Sequence, residues 1–313
     1  MKIIFAFVAT VVIWGTTPLA IAWSAAELHP MLAALLRMVL AVTLGLPILA
    51  FSGLHLPRHG HAWRNYALGS IGIFGAMALT YFSTLHIPTG LVSLMFGLSP
   101  LTTGLIAWLL RYEAGFSRLQ LIAVFVTVGG FSLIVLGNGD YLQTSMAWVM
   151  ISFLATLLFS LSSVMVKQFG TSLHPMQQGV GSMLVAIPGY ALVWLVMAPE
   201  ITLPIALNQR TLGALLYLSI MASLVGFYSF FYLLKALPSR TAALVTLAAP
   251  VIGLLLGHWL NAEPLNLRTI TGAAIVLAGL LWYLSLSRHD APTKTGSHRQ
   301  TATHKTADRP IIP

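Results

Sequence analysis

PTGLVSLMFGLSPLTTGLIAWLLRYEAGFSRLQLIAVFVTVGG, residues 88–130, decides the fold, because its landmarks recur 150 residues later. Pro88 returns as Pro238, Pro100 as Pro250, Glu113 as Glu263, Arg118 as Arg268 and Gly129 as Gly279. Just upstream, Tyr81-Phe82 returns as Phe231-Tyr232. Nearer the N-terminus the offset is 145: His29-Pro30-Met31 recurs as His174-Pro175-Met176, and Trp14 as Phe159. The two offsets differ by five residues, which fits an insertion in a surface loop of the second copy. The chain reads as two copies of one unit, and a repeat of this kind governs every later reading.

Of the 313 residues, 58% are hydrophobic and only 7% are charged. Soluble domains carry about 25% charged residues. The apolar residues come in runs of roughly 17–24, long enough to cross about 30 Å of hydrocarbon as helix. Ten such runs can be drawn, at 3–23, 31–51, 66–85, 89–110, 119–136, 146–166, 176–197, 211–234, 241–260 and 269–286. The expected fold is an all-α polytopic membrane protein with ten transmembrane helices. Its first run has a lysine before it and Ser24, Ala25 and Ala26 after it, as a signal peptide would. The counterpart around Phe159 lies mid-chain and cannot be a signal, so the first run is read as a retained helix.

With no cysteine, disulfides, thiolate chemistry and Cys-based metal sites are excluded. The net charge of +9 fits basic loops that set membrane orientation. Nucleic-acid binding is not expected, since no soluble domain is available to carry it. If the N-terminus is cytoplasmic, one side holds Lys2, Arg58, Arg64, Arg111, Arg118, Lys167, Lys235 and Arg240. The tail adds Arg288, Lys294, Arg299, Lys305 and Arg309, against only Arg210 and Arg268 on the other side. Both termini are therefore expected in the cytoplasm. Each copy has an odd number of spans, so the second enters the membrane from the opposite side. The result is two inverted five-helix repeats, 1–140 and 141–286, an arrangement many secondary transporters use around a midplane site. A symmetric scaffold without transport is the bland alternative.

After residue 286 the composition turns polar and basic, and 287–313 is expected to be a disordered cytoplasmic tail. Its histidines (His289, His298, His304) and those at His55, His59 and His61 match no metal-site spacing, so no metal and no cofactor are expected.

Glu113 followed by Ser117, Gln120 and Gly129, and Glu263 followed by Arg268, Gly272 and Gly279, resemble the ends of EamA domains. Trp14-Gly15-Thr16 and the stretch from Pro30 to Arg37 resemble other parts of the same unit. Together they resemble the drug/metabolite transporter superfamily in its ten-helix form with two EamA units. The resemblance implies a carrier in the bacterial inner membrane, usually an exporter of amino acids or related metabolites. Some relatives import vitamins or exchange nucleotide-like cofactors, so an importer of a vitamin or nucleoside-like compound is the alternative. The second copy departs from the pattern at Phe159-Ser160-Leu161, where the first has Trp14-Gly15-Thr16, and at Ser182, where Arg37 has its twin.

Arg37 is the basic residue that lies well inside a span, about 9 Å from its start at 1.5 Å per residue. Such a residue usually faces a cavity or a partner. Two roles are open to it: pairing with a substrate carboxylate or phosphate, or snorkelling to the interface and bonding helix ends. Glu27 is a candidate partner. No acid lies mid-span, which argues against lipophilic cations and favours neutral, zwitterionic or anionic cargo. Proton coupling stays open through a histidine such as His258.

Candidate substrate-binding residues are Trp14, Thr17, Arg37, Tyr81, Ser99, Phe159, Ser162, Tyr228, Tyr232 and Thr246. Pro18, Pro100 and Pro250 are expected to kink their helices beside them. Gly253 and Gly257 make a small-xxx-small pattern that suits close packing within the bundle, so a monomer or a weak homodimer is expected. An intramembrane enzyme would need a Ser–His or paired-Asp arrangement inside the spans, and the sequence offers none.

Overall fold

The structure is a computed structural model that describes residues 2–113, 115–137, 146–170, 172–197, 206–242 and 244–289. All regular structure among the described residues is helical. α1 spans Lys2–Ser24, α2 Pro30–Phe51, α3 Gly60–Ser83, α4 Thr89–Leu109 and α5 Arg118–Gly137. They are followed by α6 Met146–Phe169, α7 Pro175–Met197, α8 Gln209–Ala236, α9 Val245–Asn261 and α10 Leu267–His289. Among the described residues nine of these are long and apolar enough to cross a membrane, as a polytopic membrane protein requires. The exception is α9. The run expected over 241–260 divides into a short turn, Ser239–Ala242, and a 17-residue helix. The expected tail falls mostly on 290–313, with His298 and His304, and lies outside the described residues.

The repeated landmarks have local physical jobs. Both His-Pro-Met motifs start a helix: His29 Nδ1 accepts from the Met31 N–H and His174 Nδ1 from the Met176 N–H, each at 3.3 Å. The proline between them sits in the first turn, where its missing N–H costs nothing. Ser117 and Gln120 form a reciprocal box at the start of α5: the Ser117 N–H donates to Gln120 Oε1 at 2.8 Å and the Gln120 N–H to Ser117 Oγ at 3.3 Å. Glu263 caps another helix altogether. Its carboxylate accepts from the Thr89 N–H at 2.8 Å, the Thr89 hydroxyl at 2.7 Å and the Gly90 N–H at 3.1 Å. A negative group thus sits on the positive end of α4.

Two helices contain a wider, π-type stretch, Ile71–Ala76 in α3 and Leu218–Val225 in α8. Ile73 and Ser223, 150 residues apart, lie in these two stretches. The packing repeats crosswise in the same way. α1 packs on α8 and α9, while α6 packs on α3 and α4. α2 meets its counterpart α7, α4 meets α9 and α5 meets α10.

The last two pairs run antiparallel, because early residues of one face late residues of the other. A Cβ on Gly97 would meet Pro250, and one on Gly90 would meet Leu254. In α5 and α10, Gly130 faces Gly272 and Val276, while Gly279 faces Thr127 and Ala123. Gly253 and Gly257 face Ser93 and Thr89, so that pattern serves contact inside the bundle.

Two measurements check these assignments. A methyl on Gly130 would lie 2.8 Å from the Val276 nitrogen and 2.9 Å from the Gly272 oxygen, whereas one on Gly129 meets nothing within 4 Å. Gly130→Ala is expected to cost about 1–3 kcal/mol through overpacking, seen as a lower melting temperature in detergent, and Gly129→Ala to cost nothing. The second concerns pH. Burial lowers the pKa of His29, and burial followed by the Lys235 ammonium lowers that of His174, below the ordinary 6.5. The unfolded chain then binds more protons, so the stability from these caps is present above pH 6.5 and lost as pH falls below it. Replacing both with Asn, which caps without titrating, is expected to flatten that part of the melting-temperature profile.

Candidate functional site

Where α1, α3, α4, α6, α8 and α9 come together, they enclose a cavity of about 50 Å³, room for a few waters. Six of the sequence-derived candidates line it: Trp14, Thr17, Pro18, Arg37, Phe159 and Thr246. Ile21, Met77, Thr80, Ser93, Phe96, Phe227 and Ala249 complete the wall. Trp14 is the centre of an aromatic cluster, with ring centroids 5.4 Å from Phe159, 5.8 Å from Phe227 and 4.8 Å from Phe230. Phe96 stands 5.8 Å from Phe159 on the other side. The walls are therefore largely apolar, and the polar groups in them are few and placed.

Arg37 reaches the cavity from α2 and is 1% exposed. Its Nε–H donates to Ser223 Oγ at 2.8 Å, in the π-type stretch of α8. Its Nη1 has no hydrogen-bond partner among the described residues. No Asp or Glu lines the cavity. Glu27, expected as a partner, accepts instead from the Asn208 N–H at 2.9 Å near the start of α8. The guanidinium is thus buried, half used and without a counter-ion in the cavity wall.

The hydroxyls around it are spent in a particular direction. Thr17 donates to the Ile13 carbonyl at 2.7 Å, Thr80 to Ala76 at 2.8 Å and Ser93 to Thr89 at 3.0 Å. Each hydroxyl has given its one proton to its own helix, and what remains is lone-pair acceptor capacity. The cavity wall therefore combines one cationic donor with several neutral acceptors.

Of the three prolines expected to kink their helices, Pro100 sits at an interruption, with local compensation. Pro100 cannot donate to the Phe96 carbonyl, and the helix is interrupted at Leu98. Ser99 Oγ donates to that same carbonyl and also meets Thr246 Oγ1 at 2.7 Å, tying α4 to α9. Next along α4, Thr102 Oγ1 meets Ser160 Oγ at 2.6 Å on α6. Pro18 and Pro250 lie inside continuous helices.

The structure leaves five of the substrate-binding candidates off the cavity wall: Ser99, described above, and Tyr81, Ser162, Tyr228 and Tyr232. Ser162 Oγ donates to the Leu68 carbonyl at 2.8 Å and fastens α6 to α3. Tyr81 is buried against the core with its hydroxyl unpartnered among the described residues. Tyr228 is 38% exposed and stacks with Tyr232 at 6.5 Å and beside His174 at 6.2 Å. His258 Nδ1 lies 2.9 Å from the Glu263 carbonyl oxygen at the end of α9. Sequence reasoning passed over Met77, Phe227 and Phe96. The signal was present: Met77 and Phe227, and likewise Phe96 and Thr246, are 150 residues apart, and both members of each pair face the cavity.

Comparison with known proteins now bears on this arrangement. A transporter of Archaeoglobus fulgidus is 27% identical over 87% of this chain and 94% of its own length. Protein PecM of Dickeya dadantii is 28% identical over 88% and 90%. A probable terminal-alkyne amino-acid exporter of Streptantibioticus cattleyicolor is 25% identical over 90% and 92%. A solved crystal structure superposes with a TM-score of 0.68 over 91% of this chain and 98% of its own; at 18% identity that likeness shows the fold alone. The model of the EamA-like transporter family matches twice, over residues 1–136 and 146–285. Each match takes in one copy of the repeat, and on that ground the chain belongs to the EamA-like transporter family.

Proposed function

We propose that this transporter exports a small polar metabolite, an amino acid or a compound like one, across the bacterial inner membrane by alternating access. The observation that carries the reading is Arg37, buried at the cavity with Nη1 unpartnered among the described residues. A guanidinium in that state is matched by a carboxylate. The acceptor oxygens of Thr17, Thr80 and Ser93 suit the ammonium of the same molecule, and the aromatic wall suits its carbon skeleton. Cation and acceptors together complement a zwitterion. The similarity to the Streptantibioticus protein, a probable terminal-alkyne amino-acid exporter, points the same way and supports export over import.

Alternating access is supported by the antiparallel pairing of counterpart helices. Gly97 against Pro250 and Gly130 against Gly272 are what two inverted five-helix units, 1–140 and 141–286, require. At about 50 Å³ the cavity is too small for a metabolite, so the walls must part to admit one. The excess of Lys and Arg in alternate loops supports cytoplasmic termini.

In proteoliposomes, counterflow of neutral amino acids is expected with the native chain. Arg37→Gln and Arg37→Ala are expected to reduce it at least about tenfold, as loss of a buried charged contact does, with the melting temperature checked in parallel. Unchanged flux of every carboxylate cargo in folded Arg37 variants would remove the arginine from the mechanism. Orientation has its own test in a chain free of cysteine. Ser117 and Leu267 are exposed counterparts 150 residues apart. Single cysteines there are expected to react with an impermeant maleimide from opposite sides of the membrane; labelling from one side alone would end the inverted reading.

A further inference from the structure

Beside α4, away from the central cavity, the bundle leaves a lateral cleft of about 360 Å³. It exists because α5 packs along α10 and not along α4. The floor is Leu98, Leu101 and Thr102, each less than a tenth exposed. The rim is Leu105, Trp108 and Leu121, between 38% and 45% exposed. Thr102, a polar residue of the floor, is engaged with Ser160. The cleft therefore offers a polar solute very little, and its exposed apolar rim lies on helices apolar enough to cross a membrane.

Its length and its charge name the occupant. From Leu98 to Trp108 is ten residues of helix, about 15 Å. That is one leaflet, half of the ~30 Å hydrocarbon thickness. At the end of the cleft Trp108 and Phe116 meet edge to face at 6.3 Å, as rings do at a headgroup boundary. Immediately beyond them in sequence lie Arg111 and Arg118, both exposed. The acid of that loop, Glu113, lines a different pocket together with Lys167.

We propose that the cleft holds an acyl chain of an anionic phospholipid, with Arg111 and Arg118 on its phosphate. The site is separate from that for the transported molecule, and the inference stands independently of the transport reading. Lipid and cavity share a wall, however. Phe96 faces the cavity, Leu98 faces the cleft, and Ser99, the residue after Leu98, bonds Thr246 across the bundle. A chain seated against Leu98 and Leu101 braces the interrupted turn of α4 from its lipid side.

Native mass spectrometry of the full chain, released from micelles doped with phosphatidylglycerol or phosphatidylcholine, tests this. One phosphatidylglycerol per chain is expected to survive at collision energies that strip phosphatidylcholine. Arg111→Gln combined with Arg118→Gln is expected to weaken retention about tenfold or more, and Leu105→Trp, which fills the cleft, to abolish it. Arg58→Gln, in another loop, is expected to leave it unchanged. Free inorganic phosphate is expected not to displace the lipid; displacement would make this a plain anion site and overturn the proposal. Equal retention of the two lipids, or no effect of the paired arginine change, would also overturn it. The exposed arginine variants keep the test open should Leu105→Trp fail to fold.

Discussion

Hydrocarbon offers a backbone no hydrogen bonds, so every departure from regular helix inside this bundle has to be satisfied by the protein itself. The structure can be followed through those repairs. Pro100 withdraws a donor from the Phe96 carbonyl, and Ser99 supplies one from three residues away. The π-type stretch of α3 presents the Ile73 carbonyl, which takes the hydroxyl of Tyr190 from α7. At the matching place in α8, Ser223 accepts from Arg37 on α2. The last two of these bonds each reach from the second helix of one copy into the third helix of the other. These two bonds tie the two copies to each other at the wide turns of α3 and α8.

This is also where the two copies stop being alike. In the first, the group facing the other copy is a cation; in the second, the residue at the corresponding sequence position, Ser182, accepts instead from Gln178 at 2.9 Å. One charge without an acid beside it makes a site with a sense of direction: a donor on one wall and lone pairs on the others. The apolar rings around Trp14 raise the stakes of that charge by keeping the local dielectric low. The two copies thus present different polar groups at corresponding positions.

Most of the fold was legible because it is written twice. Apolar runs gave the helices, while paired prolines, glycines and the His-Pro-Met motifs gave the repeat, and those motifs proved to be helix starts. Of the site, Trp14, Phe159, Thr17, Arg37 and Thr246 were legible as polar or aromatic residues in apolar runs. Tyr228 and Tyr232 lie off the cavity wall for a physical reason. A π-type turn shifts the phase of everything after it, and Leu218–Val225 lies just upstream. Periodicity alone cannot see that shift, so the face turned to the cavity carries Phe227 instead. The division of the ninth run escaped notice because it falls beside Leu244, with neither glycine nor proline to mark it. The partner of Arg37 was sought among acids, whereas a neutral Ser223, distant in sequence, fills the place.

The matched wide turns in α3 and α8 have a consequence for movement. A turn that holds more residues than its neighbours is a reserve of register, and tightening it rotates and advances the half-helix beyond. Two such reserves at equivalent places form a balanced pair: slack taken up on one side can be let out on the other. A rocking cycle built on them would exchange the roles of the two halves while conserving the total number of backbone hydrogen bonds. Travel between states would then draw on stored geometry instead of on melting any span.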